Sequence, residues 1–465
     1  MTRPLPRAAL VALGAGAALS SAAANADLIT ASWLNPVSGS WNVGANWSTS
    51  PAFPNNGSPS GATYHAVIDA VGGPYTVSII ESSVSLDRLT LNSQNATLFV
   101  QGTLALQEDS VVAAGLLRLN IGSFTGAGNL SVFSAMEWGW TRMEGGGTTT
   151  IEAGGLLTMY TAFPKTLARA LVIDGEARWT SGALNVTSGG AIVNNGLFLV
   201  DATSPILGTL GGSTFNLTNT GTLRTIGGFV EFGAGAQISN SGLLDLQSST
   251  VRILGALDHS GLMTIAAPST VLLSSSSSLS ADSRITGAGV LRIAGGDHEL
   301  LPGVFAATGG LWITGGSLTL HEAPTAPLTL GGGAVHFNYL VDFGASLVTS
   351  STLHFNAGFS LDPNAAITLG GLVGLDLGAA DRQFSTADIN GHLSMTGDAL
   401  IADGLTWRGG SLSGPGATTI APGGALTLTG AEKTLSRSLH HAGDIAWDGG
   451  DLVLDGADFT SADFL

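Results

Sequence analysis

The sequence predicts an all-β protein, a right-handed parallel β-helix in which short strands stack rung upon rung behind an N-terminal aromatic cap. Three observations carry that expectation. Apolar and polar residues alternate in short runs such as Leu89-Thr90-Leu91, Thr103-Leu104-Ala105-Leu106 and Ser317-Leu318-Thr319-Leu320, the period of a half-buried strand. Glycine supplies 67 of the 465 residues, about twice its usual share of ~7%. A single frame also recurs, as Asn194-Asn195-Gly196, Asn219-Thr220-Gly221, Asn240-Ser241-Gly242 and His259-Ser260-Gly261, each followed by an apolar run, with glycines 25, 21 and 19 residues apart. A strand and a glycine turn repeating every ~20 residues is the signature of a β-solenoid, because one coil cannot bury its apolar face alone. The glycines are expected at corners that need a positive φ. The asparagines either form a hydrogen-bonded ladder along the stack or serve as ordinary turn residues, and turn chemistry is the preferred reading.

Composition excludes several functions. Charged residues make up only 11% of the chain, 16 basic against 33 acidic, for a net charge of −17. With Lys165 and Lys433 as its only lysines, the chain has no basic footprint for nucleic acid or anionic lipid. A hydrophobic share of 44% can bury a core and argues against disorder. The absence of cysteine removes disulfides, thiolate zinc sites and thiol nucleophiles together.

Taken in order, residues 1–26 read as a secretory signal. Arg3 and Arg7 precede a small and apolar run from Ala8 to Leu19, and Ala24-Asn25-Ala26 is a cleavage site, with processing after Ala26. The run is short of the ~20 residues of a spanning helix, and the mature chain contains no membrane span. Residues 27–80 form the N-terminal cap and the first coils. Trp33, Trp41, Trp47, Phe53, Tyr64 and Tyr75, interleaved with five prolines, are read as an aromatic plug over the open end of the first coil, the alternative being an exposed ligand-binding cluster. Residues 81–465 form the solenoid.

A longer repeat lies over the short one. Residues 138–184 match 407–452, with Trp138, Lys165, Arg169 and Trp179 in the first copy answering to Trp407, Lys433, Arg437 and Trp447 in the second. The second copy stops at Leu465 without a polar cap, so the expectation is of a rod continued or capped by something beyond it.

The opening Ser40-Trp41-Asn42-Val43-Gly44-Ala45-Asn46-Trp47, with Ala66-Val67-Ile68-Asp69 and Gly73-Pro74-Tyr75-Thr76-Val77, resembles the start of exported bacterial repeat proteins of the autotransporter-passenger-like or PEP-CTERM type. The glycine-rich stretches Gly145 to Gly155 and Gly414 to Gly424 are similar to their strand repeats. The resemblance implies a parallel β-helix displayed at, or shed from, the cell surface, extracellular or associated with the outer membrane.

Chemistry is sparse. The nine histidines form no metal-ligand motif, and no nucleophile elbow or phosphate loop is present. His440-His441 faces Val172-Ile173 in the first copy, and the acidic run Asp448, Asp451, Asp455 and Asp458 has no counterpart there, so neither is expected to hold a metal. No cofactor is expected. The residues that both long copies retain are the site candidates: Trp138, Arg169, Trp179, Trp407, Arg437 and Trp447 as a carbohydrate-binding stripe, with indoles stacking on sugar rings and guanidinium groups bonding hydroxyls or carboxylates. The architectural reading, preferred for these residues, has each Trp filling a coil corner under a cation–π arginine. The sequence thus points to a non-enzymatic exported structural or adhesive protein with extracellular glycans or other surface proteins as partners. The alternative is a polysaccharide-binding or polysaccharide-degrading β-helix protein.

Overall fold

A computed structural model describes residues 28–461 apart from 188, 203–208, 212–213, 343–345, 356–358, 361–364, 371–373 and 378–380. The signal segment and its cleavage site after Ala26 lie outside the described residues. The chain is a parallel β-solenoid of about 18 turns, and the one short helix among the described residues is the 3-10 turn Gly44–Asn46.

The alternating runs become strands because each turn of the coil offers them one inward and one outward face. In the most regular stretch a coil carries three strands, such as Phe215–Asn219, Thr222–Gly227 and Phe229–Phe232. Each pairs in parallel with its equivalent one turn later, at Ala236–Asn240, Leu243–Leu246 and Thr250–Ile253. Register follows from the apolar pattern, since a slip of one residue would turn every inward side chain outward. One inward column runs Val77, Leu98, Leu117, Met136, Leu157, Ala177, Phe198, Leu223, Leu244, Met263, Ile285 through successive rungs. All of these are buried. Each full burial of such a side chain is worth about 1.5–3 kcal/mol.

The N-terminal end is closed as the aromatic pattern implied. Trp33, Trp41 and Trp47 are buried and pack edge to face, with ring centroids 5.1 Å and 4.6 Å apart. Trp41 Nε1 donates to the Pro54 carbonyl at 2.9 Å and Trp47 Nε1 to the Trp41 carbonyl at 2.8 Å, so neither indole leaves a buried donor unpaired. The cap is continuous with the stack, since Leu28–Ser32 pairs in parallel with Thr63–Ile68.

Two features of the repeating corner differ from expectation. The glycines of the Asn-x-Gly frame do not require a positive φ. A Cβ on Gly196, Gly221, Gly242 or Gly261 would instead lie 2.1–2.3 Å from the carbonyl oxygen of the glycine one rung earlier. The need is for close approach between rungs, which only glycine permits. The asparagines are not simple turn residues either. Asn194 Nδ2 donates to Asn219 Oδ1 at 2.5 Å, Asn219 Nδ2 to Asn240 Oδ1 at 2.5 Å, and Asn240 Nδ2 reaches His259 Nδ1 at 2.8 Å. All four side chains are buried, so this is an internal ladder running beside the glycine column.

Candidate functional site

The residues shared by the two long copies converge on two internal devices. The first is a corner tryptophan whose indole N–H ties down a backbone carbonyl close by. Trp138 bonds Thr141 O at 2.8 Å, Trp179 bonds Gly182 O at 2.7 Å, Trp407 bonds Gly409 O at 3.1 Å and Trp447 bonds Gly450 O at 3.0 Å. The second is a buried cation ringed by carbonyl oxygens. Lys165 Nζ donates to Thr161 O at 2.7 Å, Ser181 O at 2.9 Å and Phe163 O at 3.3 Å. Lys433 Nζ repeats this with Ala431 O at 2.7 Å and Gly449 O at 3.1 Å. Arg169 reaches Gly128 O at 2.8 Å and Glu144 O at 3.4 Å. Arg437 reaches Gly397 O, Ala417 O and Met395 O at 2.8–2.9 Å.

Burial leaves all but one of these side chains no face for a sugar. Trp138, Arg169, Trp179, Trp407 and Arg437 are all at most 2% exposed. Trp447 alone is open, at 53%. The difference has a simple origin. Phe198 of the following rung stacks on Trp179 at 6.5 Å, and among the described residues no later rung covers Trp447. The arginine does not lie over a tryptophan, as the architectural reading had it; the Arg169 guanidinium sits 4.8 Å from the centre of the Phe124 ring. Burial pushes the Lys165 ammonium down to about 8 and the Arg169 guanidinium down to about 10, because carbonyl dipoles replace water imperfectly around a charge. Burial lowers Arg437 and Lys433 as well, with the Asp451 charge opposing it at Lys433.

The other sequence candidates separate in the same way. His440 faces outward and meets Thr460 Oγ1 at 2.5 Å, whereas His441 is buried with Nε2 at 3.3 Å from Gly424 O. Opposite faces of one strand prevent the two imidazoles from sharing an ion. Among the described residues, no group of three or more histidine and acidic side chains could hold a metal.

Two outward features stand out instead. One is a polar trough of about 580 Å³ lined by residues including Asp297, Glu299, Ser317, Thr319, His336 and Asn338. It forms because Glu299, Thr319, His336 and His354 occupy one outward column over successive rungs. His321 Nε2 lies 2.6 Å from Glu299 Oε1 at its rim. The His336 and His354 rings are stacked, with centroids 4.3 Å apart. Burial, and secondarily the neighbouring His354, lowers the His336 pKa and so disfavours its charged form.

The other is an aromatic pair on the outer surface, Trp140 and Phe163, stacked at 5.0 Å with 23° between planes. Neither was singled out from sequence, because Trp140 is two residues from the buried Trp138 and simple alternation places both on one face. The burial pattern shifts phase at Gly139, so Trp138 turns in and Trp140 turns out. The available signal was a mismatch: the second long copy has Gly409 and Ala431 at these two positions. Comparison of the chain with family models, with curated protein sequences and with solved structures finds no match.

Proposed function

We propose that the protein is an exported, non-enzymatic β-solenoid that serves as a structural or adhesive component of a bacterial surface or matrix, of the autotransporter-passenger-like or PEP-CTERM-type kind. The observation that carries this reading is the single stack of about 18 turns, whose retained tryptophans and cations, Trp447 apart, are buried where they fix corners. A rod of this kind holds its far end at a set distance from its base and repeats its outward columns along its length, which suits a spacer or an adhesin. Export is supported by Arg3, Arg7, the run from Ala8 to Leu19 and Ala24-Asn25-Ala26. Extracellular glycans or other surface proteins are the partners this reading implies.

The test is to produce the full chain in a bacterial host, sequence the N-terminus of the product in each fraction, and measure attachment of producing and non-producing cells to coated surfaces. The expected product begins at Asp27 in the envelope or the medium, with attachment above the non-producing control. A cytoplasmic product that retains residues 1–26 overturns the export reading, and equal attachment overturns the adhesive one.

A second reading, polysaccharide binding with cleavage, is favoured by the trough. Asp297 and Glu299 lie two residues apart on one outward strand face and both line the trough, and a pair of carboxylates is the residue set that glycoside hydrolysis uses. Release of reducing ends from a polysaccharide panel, lost in Glu299→Gln, would favour this reading over the non-enzymatic one.

A further inference from the structure

The two long copies serve as a control for one another. Both keep the buried machinery of the corner: Trp138 and Trp407 tie down the turn that follows them, and Lys165 and Lys433 hold the carbonyls of the next loop. The first copy adds two large aromatic rings to that frame. Trp140 is 49% exposed and Phe163 is 58% exposed, and they stack on one another at 5.0 Å. At the matching positions the second copy has Gly409 and Ala431, and they too are neighbours, since a Cβ on Gly409 would lie 3.2 Å from the Ala431 Cβ. The corner therefore folds without the rings. Their presence in one copy costs solvent-exposed apolar area and contributes nothing that the second copy needs.

The surroundings indicate what the rings are for. Ile121 pairs with Trp140 across the rung, and its neighbour Asn120 accepts a hydrogen bond from the Tyr160 hydroxyl at 3.1 Å. An amide and a phenol thus lie one strand position from the ring column, within reach of the Arg118–Glu137 ion pair. The mount is rigid, because the Phe163 carbonyl is held by Lys165 Nζ and the Thr141 carbonyl beside Trp140 by the Trp138 indole. A rigid aromatic face with hydrogen-bonding groups at its edge suits a ring that is apolar on its faces and hydroxylated on its rim. The net charge of −17 disfavours an anionic partner.

We propose that Trp140 and Phe163 form a stacking platform for a sugar ring of an uncharged saccharide, with Asn120 and Tyr160 bonding its hydroxyls. This rests on the adhesive reading for its purpose, though its test does not. The probes are cellohexaose, laminarihexaose, mannohexaose and chitohexaose, titrated calorimetrically into the mature chain. At least one should bind. Trp140→Ala and Phe163→Ala should each weaken binding by about tenfold or more, equivalent to ~1.4 kcal/mol. Phe133→Ala removes an equally exposed ring elsewhere, 51% open, and should leave binding unchanged. Circular dichroism of each variant checks the fold.

Full affinity in the Trp140→Ala, Phe163→Ala double variant overturns the platform, and so does a wild type that binds none of the four sugars. Either result leaves the adhesive reading to the attachment assay. Failed attachment with sugar binding intact overturns adhesion and retains the platform.

Discussion

Replacing Asn219 with alanine tests the internal ladder, and the structure sets the size of the effect. Asn219 is fully buried. Its Oδ1 accepts from Asn194, and its Nδ2 donates to Asn240 Oδ1 and, more weakly, to Leu243 O at 3.1 Å. After truncation Asn194 Nδ2 keeps the Thr222 carbonyl at 2.9 Å, but Asn240 Oδ1 loses the Asn219 donor. A buried acceptor left unpaired costs about 1–3 kcal/mol, and the small void left by the amide adds about 1 kcal/mol. The total is roughly 2–4 kcal/mol. A stack of near-neighbour units does not unfold in one step, so the assay is amide hydrogen exchange read locally at strands Phe215–Asn219 and Ala236–Asn240. Exchange there should accelerate by roughly 30- to 1,000-fold, while the N-terminal cap is unaffected. Asn219→Asp sharpens the point. Burial raises that carboxyl's pKa, so the stability of this variant is fully present below the unfolded aspartate value and is lost as pH rises through the folded one. Exchange rates in Asn219→Ala within a factor of two of wild type would refute the reasoning, because the ladder would then contribute nothing.

Other perturbations read other parts of the account. Gly242→Ala should cost about 3 kcal/mol, the upper end of overpacking, because its Cβ would meet the Gly221 carbonyl oxygen at 2.2 Å. Gly154→Ala has open space and a φ of +88°, so only the left-handed backbone cost of about 1 kcal/mol applies; equal losses in a chemical melt would contradict the close-approach argument. Burial lowers the pKa of His259 and His298 below 6.5, so the stability they contribute is present above about pH 6.5 and is lost as pH falls toward their folded values. The temperature at which the coils carrying them melt should therefore drop between pH 7.5 and 5.0, and His259→Asn should shrink the drop. Trp179→Ala should cost about 3–5 kcal/mol, and Trp447→Ala, at a site 53% exposed, less than about 1 kcal/mol; comparable losses would deny that the following rung is what buries Trp179.

Much of the fold was legible because it is a one-dimensional pattern. The alternation in Leu223, Leu244 and Met263 marks the inward column directly, and the glycine spacing marks the rung. The Trp33, Trp41 and Trp47 cluster announced a plug. What could not be read is whatever depends on how rungs register at a corner. The Asn194, Asn219, Asn240 and His259 frame was visible, but steps of 25, 21 and 19 residues give no assurance that four side chains meet end to end; the rung length has to be absorbed in loops first. The same limit applies to the site. Retention of Trp138 and Arg169 in both copies fits a sugar stripe and a corner device alike, with the corner preferred; duplication preserves what the corner needs, and the corner needs them inside. The exposed pair Trp140 and Phe163 is where the copies differ, and the phase shift at Gly139 that turns Trp140 outward leaves no trace in composition or period.

In a solenoid, residues far apart in sequence lie a fixed number of rungs apart along one axis. Thr158 and Thr264 share an outward column, linked through Arg178, Leu199, Arg224 and Asp245. Five rungs at ~4.8 Å place them about 24 Å apart. The chain has no cysteine, so a Thr158→Cys, Thr264→Cys variant takes spin labels at those two sites alone. Pulsed electron–electron double resonance should give a single narrow distribution centred near that distance; a broad distribution, or one centred beyond about 40 Å, would contradict the stack.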